Sequence, residues 1–208
     1  MKHHQGQDSQ QPLYDVLTGL PNRRPLVQQM VRALTSAREK GHRAAILCVT
    51  IDGLQPADEG DGQIAKDKCL KRVATMLTRR LRGMDMVSRT GEEEFTIVLG
   101  EVESVGAAGI VAKALMALFA APLDVGERPM LLRASIGVAV YPDHGERETQ
   151  LWTQTTQCTV PSEMEVAITF WPSRIRVHTL RRALSLRSTC VRRCRRGDFA
   201  CTISCNIT

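Results

Sequence analysis

"RAAILCVTID", residues 43–52, is an unbroken apolar and β-branched run that closes on an acid, the pattern of a strand buried on both faces. Ahead of it lies a turn-rich stretch from Asp15 to Asn22, with Thr, Gly, Pro and Asn in close order. Leu26, Met30, Val31 and Leu34 follow at helical spacing. Beyond the strand, "GQIAKDKCLKRVATMLTRRLR" sets Ile64, Leu70, Val73, Leu77 and Leu81 on one side of a second helix. "DMVSRTG" and "EFTIVLG" are two short strands around a Gly-Glu-Glu turn, the arrangement of a β-hairpin. The Ala-rich "SVGAAGIVAKALMALFAAP" predicts a helix that stops near Pro122, and "MLLRASIGVAVYP" a long strand that closes at Pro142. Helix, strand, helix, hairpin, helix, strand is the order of an α/β (α+β) sandwich. Its central sheet is flanked by helices and mixed, because the hairpin forces one antiparallel pair.

At 208 residues the chain has room for one domain of ordinary size and an appendage. With 43% apolar and 24% charged residues it has the balance of a soluble globular protein. No apolar run approaches the roughly 20 residues of a spanning helix, and the polar opening "MKHHQGQDSQQP" holds no signal region. The expected location is the cytoplasm, with no membrane segment. The net charge of +6 is distributed unevenly: residues 151–208 hold nine Arg and three acids, which accounts for all of it, together with five of the seven cysteines. The chain therefore divides into a polar leader over 1–12, a domain over 13–150 and an Arg/Cys-rich tail over 151–208.

Glu92-Glu93-Glu94 at the hairpin tip is more acid than a turn needs. Such a cluster is either a solvated decoration or a site for a cation. The surrounding residues favour a site, because several motifs appear in one order. "Asp15-Val16-Leu17-Thr18-Gly19-Leu20-Pro21-Asn22-Arg23-Arg24", the hairpin "Gly91-Glu92-Glu93-Glu94-Phe95", "Ser135-Ile136-Gly137-Val138-Ala139" and "Tyr141-Pro142-Asp143" together resemble the GGDEF family. Those are the diguanylate cyclases that join two GTP into cyclic di-GMP. The resemblance covers about residues 13–147 and implies a nucleotidyl-cyclase-like fold, incomplete at its C-terminus.

The resemblance also implies roles. Glu93 and Glu94 fall on the family's catalytic, metal-binding acids, and Gly91 on the glycine that lets phosphates approach backbone amides. Mg²⁺ would be the cofactor, since phosphoryl transfer rests on positioning and charge neutralisation. A homodimer would be required to bring two GTP-loaded domains face to face. The family's "D-x-D-x-F-K-x-I-N-D-x-x-G-H-x-x-G-D" lays onto Thr50 to Asp67. This puts Thr50 in the place of a metal-ligating Asp, and Asp58 and Asp67 on the guanine-reading pair. The backbone of Ile51, with Asp52 as a substitute ligand, completes the metal set. "Arg82-Gly83-Met84-Asp85" resembles the R-x-x-D inhibitory site that binds cyclic di-GMP, with Lys113 as a further basic partner.

Three departures point to a degenerate, catalytically impaired domain. Thr50 lacks a carboxylate, so the site loses one charge. Glu92 replaces the second glycine and brings a negative charge toward an anion site. Two like charges about 4 Å apart repel by about 1 kcal/mol in water and about 4 kcal/mol at an effective dielectric of 20. Asp58 accepts only, so it cannot donate to guanine O6 as an amide does. An active cyclase and a non-binding interaction module stay open as alternatives.

The tail departs altogether from the family's closing helix. As a hypothesis, a shifted reading frame near residue 150 accounts for it. Suitable codons read one base earlier yield strings similar to that helix and to the first strand of an EAL phosphodiesterase domain, making the chain a remnant of a GGDEF–EAL protein. Gene sequencing tests this: codons incompatible with both strings rule it out. Other readings of the tail are weaker. Cys190, Cys194, Cys201 and Cys205 lack a C-x₂-C zinc knuckle, and a reducing cytoplasm argues against disulfides. The run "RRCRR" has no interleaved aromatics for nucleic acid. The expected consequence is a poorly ordered tail and a sheet left with one apolar face bare.

Overall fold

The computed structural model describes residues 12–54, 62–125 and 129–158, with the backbone of two short strands at 167–170 and 201–204. In chain order the elements are α1 (Arg23–Lys40), β1 (Arg43–Asp52), α2 (Gly62–Arg80), β2 (Met86–Arg89), β3 (Glu94–Val102) and α3 (Val105–Met116). A 3₁₀ turn (Ala117–Phe119), β4 (Leu123–Asp124), β5 (Pro129–Met130), β6 (Arg133–Tyr141), α4 (Glu148–Cys158), β7 (Ala167–Phe170) and β8 (Cys201–Ser204) follow.

β1 lies at the heart of a six-stranded sheet ordered β2-β3-β1-β6-β7-β8. It pairs antiparallel with both β3 and β6, while β6 and β7 run parallel, so the sheet is mixed. The near-continuous burial of β1 follows from helices on both of its faces. On one face Val49, Ile51 and their neighbours pack with α2 and α3; on the other Ala44 and Ile46 pack with α1 and α4.

Helix boundaries follow local chemistry. The Asn22 side chain accepts the Arg24 amide at the start of α1, and Gly41 ends the helix at φ 70°, a left-handed turn that costs glycine little. The buried stripe of α1 is Leu26, Met30, Ala33, Leu34 and Ala37. Val31 is not on it. It follows Met30 by about 100° around the helix and is 45% exposed. Ile64 likewise sits six residues before Leu70, about 120° off the α2 stripe, and is 56% exposed. The long strand expected over 130–142 is broken: β5 pairs with β4 in a separate ribbon, and β6 starts at Arg133.

α4 crosses the expected domain end at 150 and covers the face that was expected to be bare. Leu151 is fully buried in the cluster with Leu26 and Met30, a burial worth about 1.5–3 kcal/mol. The Arg23 guanidinium lies 5.0 Å over the Trp152 ring, joining the start of α1 to α4. The remaining tail readings, including Cys190, Cys194 and Cys205, fall outside the described residues.

The turn between β6 and α4 is closed by His144. Its amide donates to the Val140 carbonyl at 2.7 Å, and its Nδ1 accepts the Val140 amide at 3.0 Å. The ring is therefore neutral, with its proton on Nε2. Burial lowers its pKa below 6.5, and Asp143 opposes this only in part. A depressed histidine pKa gives stability that is present above the unfolded value and lost as pH falls through the folded one. The expected result is a melting temperature that drops between pH 7.5 and pH 5, roughly the range around an ordinary histidine pKa. Replacing His144 with Gln flattens that dependence; a wild-type melt unchanged across the interval would refute the assignment.

Candidate active site

The site lies where β1 ends, the β2–β3 turn begins its return and the first turns of α2 start. Register brings these pieces together. Thr50 faces Glu94 across β1–β3 and Ser135 across β1–β6. The Ile51 amide donates to the Glu93 carbonyl at 2.9 Å, pinning the turn to β1. Asp52 lies two residues beyond the ladder with β3 and stands opposite Arg133 instead.

The turn itself is closed by the Glu94 carbonyl, which accepts from the Thr90 and Gly91 amides at 2.9 and 3.3 Å. Gly91 packs closely here: a Cβ at that position would approach the Glu94 Cβ to 3.1 Å, so a larger residue would push the turn by a few tenths of an ångström. Glu92 projects into solvent, and its carbonyl accepts from Arg89 Nη2 at 2.6 Å.

The two acids expected to share a metal point apart. Glu94 Oε1 accepts from the Thr90 hydroxyl at 2.6 Å, and that hydroxyl also lies 3.0 Å from Thr96 Oγ1. Glu93 reaches α2, where its Oε1 lies 2.6 Å from Lys66 Nζ. Asp67, one residue on, is held by Gln63 Nε2 at 2.8 Å. Asp58 lies outside the described residues. Among the described residues no three His, Cys, Asp or Glu side chains converge as metal ligands. With Thr50 neutral, Glu93 taken by an ammonium and Glu94 held by Thr90, this donor set does not fit Mg²⁺.

A second anchor ties the turn to the Asp15-to-Arg24 motif. Arg89 Nη1 donates to both carboxylate oxygens of Asp15 at 3.1 Å. Asp15 also accepts the Thr18 amide at 2.8 Å and the Thr18 hydroxyl at 2.5 Å. Burial works to raise the Asp15 pKa, but the Thr18 and Arg89 hydrogen bonds and the Arg89 charge outweigh it and hold it below 3.8. A cavity of about 380 Å³ opens beside this pair, lined by Tyr14, Val16, Asn22 and Gly91 among others.

The R-x-x-D segment forms a tight turn after α2. Asp85 donates its amide to the Arg82 carbonyl at 3.0 Å. Its carboxylate accepts the amides of Arg82 at 3.1 Å and Gly100 at 3.3 Å. Arg82 and, on α3, Lys113 are both exposed.

Two residues of this region were not singled out from the sequence. Lys66 had a signal, since it stands where the aligned motif has a glycine before Asp67. Arg89 had none, because its partner lies 74 residues away.

The family description "Diguanylate cyclase, GGDEF domain" matches residues 12–160, from just before the Asp15-to-Arg24 motif through α4. This chain belongs to the GGDEF family. Over 139 residues it is 30% identical to the bifunctional diguanylate cyclase/cyclic di-GMP phosphodiesterase MucR of Pseudomonas aeruginosa, covering 67% of this chain and 20% of that protein. The isolated GGDEF domain of TpbB from Pseudomonas aeruginosa superposes with a TM-score of 0.65 at 29% identity, covering 69% of this chain and 84% of that one. A microbial GGDEF domain studied for its interaction with cyclic di-GMP gives a TM-score of 0.57 at 26% identity, covering 70% and 86%. The chain thus spans a fifth of MucR's length, and the GGDEF assignment concerns that domain. No described helix is long and apolar enough to cross a membrane.

Proposed function

We propose that this GGDEF domain acts in cyclic di-GMP signalling without cyclase activity of its own, and that it binds cyclic di-GMP at Arg82 and Asp85. The observation that carries the first part is the spent donor set: Glu93 is paired with Lys66, and Thr50 supplies no charge. In support of the second, the Asp85 carboxylate accepts two backbone amides and so braces the turn, while the Arg82 side chain is exposed to solvent. A guanidinium presents two parallel donors to guanine O6 and N7, and Lys113 adds positive charge for a phosphate. The related domain studied with cyclic di-GMP keeps this ligand class in view.

Calorimetric titration of the full chain with cyclic di-GMP tests the reading. Saturable binding is expected, weakened at least about tenfold by Arg82→Ala, with no change in the melting temperature because Arg82 is exposed. Asp85→Ala, by contrast, is expected to lower stability by about 1–2 kcal/mol, since two backbone amides lose their acceptor. A folded chain that binds no cyclic di-GMP, or binds it equally well without Arg82, overturns the proposal.

A further inference from the structure

We infer that Lys66 is a built-in cation standing in the electrostatic place of the divalent metal, so that the acidic turn is neutralised from within the chain. This rests on the reading of the domain as an impaired cyclase and gives that impairment a cause. Lys66 emerges from the start of α2 on the face of the sheet that carries Val49 and Ile51. Its side chain is only 20% exposed, and its Nζ lies 2.6 Å from Glu93 Oε1. A partly buried ammonium is stabilised by a partner, and it pairs with the acid of the turn, whose own side chain is 34% exposed.

The pair differs from an ordinary surface ion pair, which holds little and exchanges freely with solvent. The backbone carbonyl of Glu93 is fixed by the Ile51 amide at 2.9 Å, so the acid is delivered to Lys66 from a pinned turn. Beside the turn, relative to the aligned motif, Thr50 removes one negative charge and Lys66 adds one positive charge, whereas Gln55 for Lys and Asp58 for Asn change the count the other way on residues outside those described. The lysine also occupies a position where the motif has a glycine, filling space beside the acid that an ion would need. Glu92 adds a negative charge, but on the solvent side, where water and salt screen it.

It follows that a metal ion approaching Glu93, whose Oε1 is held by Lys66, is repelled by the ammonium, and that restoring the missing carboxylate at position 50 gives only part of the affinity while Lys66 remains. Mn²⁺ binding to the full chain, followed by loss of the free-ion electron paramagnetic resonance signal, tests this. Wild-type chain is expected to show no saturable site at the turn. Thr50→Asp with Lys66→Ala is expected to bind at least about tenfold more tightly than Thr50→Asp alone. Lys66→Met keeps the apolar stem and serves as the second variant if the alanine does not fold. Equal Mn²⁺ affinity with and without the Lys66 ammonium overturns the inference. Cyclic di-GMP formation from GTP by the wild-type chain is measured in parallel. Turnover there sinks the impaired-cyclase reading, whereas an inactive chain with equal Mn²⁺ affinities sinks only the role of Lys66.

Discussion

Asp15→Ala is expected to destabilise the domain by about 3 kcal/mol, lowering its melting temperature by on the order of 10 °C. The Asp15 carboxylate gathers two Thr18 bonds and both contacts from Arg89 Nη1. The Asp15 and Arg89 side chains are only 22% and 13% exposed, and the Arg89 Nε is already buried without a partner among the described residues. Removing the carboxylate leaves that guanidinium, among the described residues, with the Glu92 carbonyl as its one fixed acceptor. Most of the cost is therefore the stranded charge, so Asp15→Ala combined with Arg89→Met is expected to cost less than Asp15→Ala alone. Urea denaturation of the three variants decides the matter. A single-variant cost below about 1 kcal/mol would place the pair with exposed ion pairs and remove it as the anchor of the turn.

The largest effect concerns catalysis. Incubated with GTP and Mg²⁺, the chain is expected to form cyclic di-GMP on the order of 10³-fold or more slowly than a GGDEF domain with the full Gly-Gly-Glu-Glu-Phe turn. Phosphoryl transfer offers the protein little to do beyond positioning and charge neutralisation, so a site that has lost a ligating carboxylate is weakened in both. The variant series is informative. Glu92→Gly alone relieves repulsion at an exposed position and is expected to recover almost nothing. Combining it with Thr50→Asp and Lys66→Gly restores the charge and space of the motif and is expected to raise turnover measurably. Chromatographic detection of the product checks both statements. Wild-type turnover comparable to the intact domain would show that the Lys66–Glu93 pair opens readily and that Thr50 does not limit the site.

Much of the architecture was legible because burial is periodic. β1 was expected at 43–52 and is found there, since a strand covered on both faces leaves an uninterrupted apolar run. The helices were found by their stripes, but membership at the edges was misjudged. Val31 and Ile64 share helical spacing with the core yet lie too far around the helix to reach it. β4 and β5 were too short to leave any pattern. α4 was missed because its buried residues, Leu151 and Thr155, are sparse and one of them is polar.

From residue identity alone came the order of α1, β1, α2, the β2–β3 hairpin, α3 and the strand that includes β6, together with the GGDEF membership and the substitutions at Thr50 and Glu92, because the identity of a residue at a motif position is local information. Only the tertiary structure decided that Glu93 and Glu94 diverge, that Lys66 takes Glu93, that Arg89 carries the turn on Asp15, and that Asp85 braces the Arg82 turn against Gly100. Those outcomes depend on the register of β3 against β1 and β2, on the placement of α2 over one face of the sheet and on the docking of the loop before α1 against β2. A pairing between distant residues is fixed by such packing, and no short stretch of sequence contains it.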